Sequence, residues 1–309
     1  MLASIDIGTN TIRCIVVNSR NDVLQPLFVD MKIIRLGENF KNSGFITENA
    51  INRVINGIKS YLKIIKDYGI NKSDIVVTGT SVMRDAPNGK NVAEIIKNET
   101  GIDVHIISGE QEADITLSGI SSCFEDLDEF YAIDIGGGST EFMYYRNGRS
   151  IWKRSLNMGV VHLTEEYIKS DPVSQGDLLT LEKIIKDNLS VLKNDLNKAG
   201  ILIEPLRLLG TAGTVSTLAM IDMGIMNYDR LKLHGYKLKK ENVRKIYKMF
   251  IDLKVQDRMK IKGLEKGRED LVVSGTAICL KSMEFFGVES ITVSECGLLE
   301  GLIGYKIGL

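Results

Sequence analysis

The chain has 309 residues, of which 44% are hydrophobic and 26% are charged, with 39 Lys and Arg against 40 Asp and Glu. This length suggests two domains, and this composition excludes a disordered or a fibrous protein. The near-neutral balance excludes an overall electric field that would attract nucleic acid or an acidic membrane, so any anionic partner has to be bound by a local site.

The N-terminal residues enter a strand pattern at once, without the basic and apolar regions of a signal peptide. The apolar runs are shorter than the ~18–20 residues that span a bilayer. The four cysteines, Cys14, Cys123, Cys279 and Cys296, lie far apart without a CxxC pair, and three histidines are too few for most zinc sites. We therefore expect a reduced, cytoplasmic protein that binds neither nucleic acid nor a membrane.

A predicted strand, a glycine turn and a second strand open the chain, and the same pattern occurs again after residue 130. Residues 5–11 (IDIGTNT) correspond to residues 133–139 (IDIGGGS), and the second strands follow at 12–17 and 141–145. A repeat of this kind predicts two similar domains.

An acid, Asp6 or Asp134, comes two residues before the first glycine of each turn. The N–H groups of a glycine turn can form a nest that binds anions, and nearby carboxylates suit Mg²⁺. For a single copy the alternative is an ordinary hairpin in which glycine serves only the turn. The second copy favours phosphate binding, because a purely structural turn does not need the acid.

Helices and strands alternate through the rest of the chain. Thr47 is a candidate N-cap of a helix that ends at Gly69, with strands after it at 74–78 and 104–107. An amphipathic helix with leucine or isoleucine at 178, 181, 185, 189, 192 and 196 ends at Gly200, before a strand at 206–209. The GTAGT turn at 210–214 follows this strand, where a helix N-terminus attracts anions, although GxxG alone is a weak signal.

Several segments together resemble the exopolyphosphatase and guanosine pentaphosphate phosphatase (Ppx/GppA) family of the actin-like ATPase superfamily. They are residues 5–13 (IDIGTNTIR), 79–88 (GTSVMRDAPN), 107–113 (ISGEQEA), 133–141 (IDIGGGSTE), 157–165 (NMGVVHLTE), 210–214 (GTAGT), Gly263, Leu264, Arg268, Asp270 and 293–301 (VSECGLLEG). The segments at 79–88 and 107–113 distinguish these phosphatases from the wider superfamily. Thr9 and Thr11 stand where the family often has Ser, and Leu299 where it often has Arg.

The resemblance implies an α/β fold of two similar actin-like (ribonuclease H-like) domains, with mixed sheets flanked by helices and a ligand cleft between them. The expected domains are residues 1–120 and 121–296, with a last helix at about 297–309 that packs back on the first domain. The implied activity is Mg²⁺-dependent hydrolysis of the terminal phosphoanhydride of inorganic polyphosphate, with guanosine pentaphosphate as the alternative substrate. A homodimer is the expected assembly.

The resemblance also implies the site residues. Glu112 is the expected catalytic carboxylate, and Asp134 and Glu141 are the expected Mg²⁺ ligands. The expected phosphate-binding residues are Asp6, Gly8, Thr9, Asn10, Thr11, Arg84, Gly136, Gly137, Gly138, Ser139, Thr140 and Gly213. Arg13 and Arg268 are weaker candidates for phosphate-binding residues.

Most of these residues also have a structural interpretation. Ser108 and Gln111 form a capping-box pattern, so Glu112 and its neighbours Glu110 and Asp114 could simply complement the N-terminal dipole of a helix. Asp6 could cap its own turn, and Glu141 could point to solvent from its strand. Arg84 has the forked donors that suit a phosphate but could instead pair with Asp85.

Basic residues cluster at 237, 239, 240, 244, 245 and 248, where spaced positive charges could line a track for a long polyanion. The interspersed apolar residues favour an amphipathic helix with a solvated basic face.

Two other classes of function are compatible with this fold. A small-molecule kinase would place the GTAGT turn near an adenosine and would need an acceptor pocket, and a non-catalytic sensor would bind a phosphorylated alarmone. A carboxylate at position 112 favours the hydrolase over the sensor.

Overall fold

The computed structural model describes residues 1–20, 23–124 and 126–307. The chain divides into unit 1, formed by Met1–Cys123 and Cys296–Leu309, and unit 2, formed by Phe124–Glu295. Each unit contains one mixed sheet flanked by helices. The expected fold of two α/β domains is confirmed.

Unit 1 has a five-stranded sheet in the order β3-β2-β1-β4-β5. Its strands are β1 (Leu2–Ile7), β2 (Thr11–Arg20), β3 (Val23–Ile33), β4 (Ile75–Gly79) and β5 (His105–Ile106). Its first helices are α1 (Phe40–Ser43), α2 (Glu48–Asp67), α3 (Ser81–Asp85), α4 (Gly89–Thr100) and α5 (Gly109–Ser121), with a 3-10 turn at Lys72–Asp74. The strands β1, β2 and β3 are antiparallel neighbours, whereas β4 and β5 run parallel to β1.

The predicted N-cap of α2 is confirmed, because the Thr47 side chain accepts a hydrogen bond from the Ala50 N–H. One face of α2 is apolar and covers the sheet, with Val54, Ile58 and Ile65 fully or almost fully buried. Sequence periodicity predicts this element well, since the spacing of the apolar residues follows the helical repeat.

Unit 2 has a six-stranded sheet in the order β10-β11-β9-β6-β7-β8. Its strands are β6 (Glu129–Ile135), β7 (Thr140–Arg146), β8 (Arg149–Leu156), β9 (Leu208–Thr211), β10 (Lys237–Lys239) and β11 (Ser290–Val293). Its helices are α6 (Val160–Tyr167), α7 (Gln175–Lys198), α8 (Ala212–Met223), α9 (Arg230–Leu233), α10 (Lys240–Asp252), α11 (Val255–Arg258) and α12 (Val272–Phe285). All six predicted apolar positions of α7 are buried.

The predicted repeat is present in the sheets. The antiparallel pair β1/β2 has β4 parallel to β1, and the antiparallel pair β6/β7 has β9 parallel to β6. The glycine turns also share a hydrogen bond, from the Gly8 N–H to the Thr11 carbonyl (2.9 Å) and from the Gly136 N–H to the Ser139 carbonyl (3.0 Å). The two halves of the chain therefore build the same turn at corresponding places.

The basic cluster lies on β10 and α10. Leu238, Val243 and Ile246 are buried, while Arg244 pairs with Glu284 at 3.3 Å. This arrangement supports the amphipathic interpretation, because acidic neighbours neutralise part of the basic face.

The last helix, α13 (Leu298–Ile307), follows unit 2 in the chain but packs against α5 and the sheet of unit 1. The two helices approach closely at glycines. A Cβ added to Gly119 would lie 2.0 Å from the Gly297 carbonyl oxygen, and one added to Gly301 would lie 1.8 Å from the Ile115 carbonyl oxygen. Only residues without a side chain fit at these crossing points.

The expectation of a fully reduced chain is wrong at one cysteine pair. Cys123 and Cys296 form a disulfide with their Cα atoms 6.4 Å apart, although 173 residues separate them in sequence. The end of α5 and the start of α13 meet, and this long-range contact leaves no local signal in the sequence. Cys14 and Cys279 are free and buried.

Within the described residues, no helix is both long enough and apolar enough to cross a membrane.

The N-terminus of α5 is held by a capping box. The Ser108 hydroxyl accepts the Gln111 N–H at 3.1 Å, and the Gln111 side chain accepts the Ser108 N–H at 2.9 Å. The start of this helix at Ser108, predicted from the sequence, is confirmed.

The glycine contact between α5 and α13 can be tested with two variants of the same helix. We expect Gly301→Ala to lower the free energy of unfolding by about 1–3 kcal/mol, because its methyl group would overlap the Ile115 carbonyl. Gly304→Ala is the matched control, since among the described residues no atom outside its own helical turn lies within 4 Å of the added Cβ. Because alanine has a higher helix propensity than glycine, the free energy of unfolding of this variant should be unchanged or higher by up to about 1 kcal/mol. Equal urea denaturation midpoints for both variants would contradict the close contact.

The capping box of α5 makes a second prediction. Ser108→Ala should cost about 1 kcal/mol of stability and speed amide exchange in the first turn of α5, because the Gln111 N–H loses its acceptor. Ser118→Ala, an exposed change in the same helix, is the control and should do neither. Unchanged exchange in the Ser108 variant would show that tertiary contacts alone hold this turn.

Candidate active site

The turn after β1 places a buried carboxylate at the end of the sheet of unit 1. Asp6 is 3% exposed and lies opposite Arg13 in the β1/β2 register. Arg13 donates two hydrogen bonds to Asp6 Oδ2, from Nε at 3.0 Å and from Nη2 at 2.7 Å. Among the described residues no hydrogen bond reaches Asp6 Oδ1, which is buried. Asp6 therefore pairs with an arginine and does not cap its own turn.

The residues of this turn are fixed by their backbone and by one hydroxyl. The Gly37 N–H donates to the Thr9 carbonyl at 2.8 Å, and the Arg35 N–H donates to the Asn10 carbonyl at 2.9 Å. The Thr9 hydroxyl accepts the Val82 N–H at 3.3 Å, which ties the turn to α3. These hydrogen bonds attach the turn to α3 and to the segment after β3, and a preorganised binding site needs such attachment.

Arg84 and Glu112 come together although they lie on different elements. Arg84 is on the short helix α3, and its Nη1 donates to Glu112 Oε2 at 3.2 Å and to the Ile107 carbonyl at 3.1 Å. The alternative partner Asp85 lies farther away, with 3.6 Å between Arg84 Nε and Asp85 Oδ1. The structure thus joins the residue expected to bind phosphate to the expected catalytic carboxylate.

The three acids near the start of α5 have different surroundings. Glu112 is 8% exposed and contacts Arg84, whereas Glu110 is exposed and Asp114 is half-buried. Acids that only complement a helix dipole can remain in solvent. Burial costs a carboxylate its hydration, so the placement of Glu112 needs its cationic partner.

The second glycine turn places two carboxylates next to each other. Asp134 and Glu141 are directly opposed in the β6/β7 register and are 5% and 1% exposed. The alternative in which Glu141 points to solvent is therefore wrong. The Ser155 hydroxyl on β8 donates to Glu141 Oε1 at 2.7 Å.

This pair of carboxylates fits a divalent cation. Like charges at opposed positions of a sheet repel each other, and burial strengthens the repulsion. Mg²⁺ prefers carboxylate oxygens and usually keeps several waters, so two carboxylates can be enough for it. Within the described residues, no group of three or more His, Cys, Asp and Glu side chains forms a metal cage.

The glycine turn of unit 2 packs tightly on the start of α6. The Val160 N–H donates to the Gly136 carbonyl at 3.0 Å, and the Val161 N–H donates to the Gly137 carbonyl at 2.8 Å. A Cβ at Gly159 would lie 2.2 Å from the carbonyl carbon of Gly138. Two predicted phosphate-binding residues next to the turn, Ser139 and Thr140, are buried, and the Thr140 hydroxyl donates to the Met158 carbonyl.

The GTAGT turn between β9 and α8 packs against an arginine. A Cβ at Gly213 would lie 2.2 Å from Arg268 Nη2, so the guanidinium of Arg268 approaches this turn closely and would have to shift if residue 213 carried a side chain. Arg268 Nε donates to Glu265 Oε2 at 2.7 Å, and its side chain is 9% exposed. The Thr214 hydroxyl donates to the Ile135 carbonyl at 3.5 Å, which links this turn to the end of β6.

Sequence reasoning missed Ser155 and undervalued Arg268. Ser155 depends on the pairing of β7 with β8, for which the sequence carries no motif. Arg268 depends on a long-range contact with Gly213, and a lone arginine in a loop gives no signal of it. With Thr214 and Thr217, Arg268 also lines a small cavity of unit 2.

Comparison with known proteins identifies relatives along nearly the whole chain. A bifunctional 3-dehydroquinate synthase/phosphatase from Fusobacterium nucleatum is 33% identical over 312 residues, which include 97% of this chain. The chain spans 46% of that relative's length. Exopolyphosphatase 1 of Mycobacterium tuberculosis is 26% identical, with 99% of this chain and 88% of that protein covered.

Solved structures show the same fold. An exopolyphosphatase from Cytophaga hutchinsonii superposes with a TM-score of 0.89 at 28% identity, covering 100% of this chain and 98% of that one. The Ppx/GppA family member of Aquifex aeolicus superposes with a TM-score of 0.81 at 27% identity, covering 99% and 97%. Residues 15–307 match the Ppx/GppA phosphatase family. The family and the enzyme class expected from the motifs are thus confirmed: this chain belongs to the Ppx/GppA phosphatase family.

Proposed function

We propose that this phosphatase is an exopolyphosphatase, which hydrolyses the terminal phosphoanhydride bond of inorganic polyphosphate and releases orthophosphate. One observation carries the proposal: Glu112 is buried in the first turn of α5 and hydrogen-bonded to Arg84. Relatives named exopolyphosphatase, such as the mycobacterial protein covered over 88% of its length, support polyphosphate as the substrate. Guanosine pentaphosphate ends in the same chemical group and is the competing substrate.

Glu112 is the proposed acceptor of the water proton. Its carboxylate orients a water molecule, the water oxygen attacks the terminal phosphorus, and the bond to the bridging oxygen breaks. The water proton passes to Glu112, and the shortened polyphosphate leaves with the bridging oxygen.

Arg84 is the proposed ligand of the terminal phosphoryl group. Its Nη1 contacts Glu112 and the Ile107 carbonyl, and among the described residues no hydrogen bond engages its Nη2. That nitrogen can donate to a phosphoryl oxygen while Nη1 keeps the carboxylate nearby, so one guanidinium positions both the base and the electrophile.

The two glycine turns are the proposed phosphate-binding elements, each within its own unit. Asp6, Gly8, Thr9, Asn10 and Thr11 form the first. The second contains Gly136, Gly137, Gly138, Ser139 and Thr140, with Gly213 on the neighbouring turn. Backbone N–H groups and hydroxyls in such turns suit the oxygens of phosphate.

Asp134 and Glu141 are the proposed ligands of Mg²⁺. When bound, the ion neutralises charge that develops on the phosphate oxygens. The Ser155 hydroxyl holds one oxygen of Glu141 and thereby orients its carboxylate.

The homodimer, the cytoplasmic location and the ligand cleft expected from the sequence stay predictions.

Replacing the proposed base tests the reaction. Glu112→Gln keeps the size of the side chain but cannot accept the proton, so we expect phosphate release from long-chain polyphosphate to fall about 100-fold or more. Glu110→Gln, an exposed change in the same turn, is the control and should retain activity.

Guanosine pentaphosphate is assayed in parallel and ranks the two substrates. If the folded wild-type protein releases phosphate from neither substrate, the hydrolase is excluded, and the kinase and the sensor become the leading functions.

The proposed Mg²⁺ ligands are tested separately, by measuring the affinity for Mg²⁺. Asp134→Asn and Glu141→Gln should each weaken Mg²⁺ binding about tenfold or more in isothermal titration calorimetry, because each removes a carboxylate ligand. Glu129→Gln on the same strand β6 is the control and should bind as the wild type does. Equal affinities in all four proteins would remove Asp134 and Glu141 as ligands.

A further inference from the structure

The disulfide lies where the chain passes between its two units. The chain leaves unit 1 after Cys123 and returns to it at Cys296. Because unit 2 is the continuous segment Phe124–Glu295, these two peptide connections are the covalent links between the units. The Cys123–Cys296 bond joins the two connections to each other on the side of unit 1.

The docking of α13 does not depend on this bond. Leu299 and Ile303 pack with Ile15 and Val17, and the other face of the helix packs near Ile107. The Ser4 hydroxyl also donates to the Leu299 carbonyl at 2.8 Å. These contacts and the glycine crossing with α5 do not involve the sulfurs, so we expect the reduced chain to keep its fold.

A histidine joins the same two connections on the side of unit 2. The His234 ring packs against Phe124 with 4.6 Å between centroids and a tilt of 36°, and its Nδ1 accepts the Glu295 N–H at 3.3 Å. Phe124 and Glu295 directly adjoin the two cysteines. The connections are therefore held together twice, by a bond that thiols can open and by weak contacts that they cannot.

The two cysteines differ in exposure. Cys123 is half-buried, with its sulfur 3.9 Å from the Ser122 hydroxyl, whereas Cys296 is 4% exposed. We therefore expect an incoming thiolate to attack Cys123, the more exposed residue of the pair. The other cysteines, Cys14 and Cys279, are 0% exposed, and burial raises the pKa of each thiol to about 12. They are unreactive internal controls.

We propose that Cys123–Cys296 is a reversible redox site, opened by a dithiol reductant, whose oxidised form restrains the two connections between the units. One thiolate of the dithiol attacks the Cys123 sulfur, forms a mixed disulfide and releases Cys296 as a thiolate. The second thiolate of the dithiol then attacks the reductant sulfur that is bonded to Cys123, and Cys123 leaves as a thiolate. The protein disulfide is reduced by two electrons, and the dithiol leaves as an oxidised disulfide.

The functional consequence rests on the proposed phosphatase activity. Movement between domains often accompanies turnover in enzymes that bind phosphates, and such movement requires the connecting peptides to rotate. A bond between the two connections limits how far Cys123 and Cys296 can separate, and it therefore restricts such rotation further than the noncovalent contacts do. The oxidised enzyme should therefore turn over more slowly than the reduced enzyme.

The test compares oxidised and reduced wild-type protein with a Cys123→Ser/Cys296→Ser double variant. After reduction with dithiothreitol, iodoacetamide should label Cys123 in the folded protein and leave Cys14 and Cys279 unlabelled. Amide exchange at residues 120–124 and 294–298 should be faster in the reduced wild type and in the double variant than in the oxidised wild type. The cleavage rate of polyphosphate should rise about threefold or more on reduction of the wild type and stay constant in the double variant.

The readouts separate the two proposals. If the amide exchange rates at both connections are equal in the oxidised and reduced proteins, the disulfide does not restrain the connections. Equal rates of polyphosphate cleavage by the two forms of an active enzyme would also contradict the proposal. If neither form releases phosphate, the proposed activity fails, while exchange still decides whether the disulfide restrains the connections. Should the double variant fold poorly, Cys123→Ala alone replaces it, because one missing sulfur already prevents the bond.

Discussion

The backbone contact between α5 and α13 is the constraint on which unit 1 depends. Because Gly119 and Gly301 have no side chain, the two helices approach so closely that a backbone carbonyl oxygen lies next to the Cα atom of each glycine. Helix α5 carries Glu112, and α13 covers part of the same sheet. The position of the proposed base is therefore determined partly by residues that follow unit 2 in the chain, and a larger side chain at either glycine would shift the helix that holds it.

The burial of four carboxylates is a second constraint on the structure. Asp6 is compensated by Arg13, and Glu112 by Arg84, whereas Asp134 and Glu141 are placed opposite each other. An arginine therefore compensates each of these two carboxylates of unit 1, and the opposed geometry of the pair in unit 2 is the basis for proposing it as the Mg²⁺ ligand pair.

Local patterns predicted the elements, and motifs predicted most of the candidate site. The capping box at Ser108, the apolar face of α7 and the repeated glycine turn depend on residues close in sequence, so their patterns are readable. The resemblance to the family was needed to choose Glu112 among three acids, because helical spacing alone does not show which of them is buried.

Long-range contacts could not be predicted in this way. The Cys123–Cys296 pair, the contact of Arg268 with Gly213 and the bond from Ser155 to Glu141 join segments that are distant along the chain or lie on separate strands. Each is a result of the tertiary fold. The contact of Arg13 with Asp6 likewise became clear only from the strand register.

The division of unit 1 into two segments has a consequence for biosynthesis. Unit 2 is continuous, so all of its strands are translated before α13. Until then α5 and the sheet of unit 1 lack their covering helix, and apolar residues such as Ile15 and Val17 have no partner from α13. We therefore expect the segment of unit 1 before Cys123 to complete its packing only after residues 298–307 are available, and its uncovered apolar residues are the kind of surface that chaperones bind.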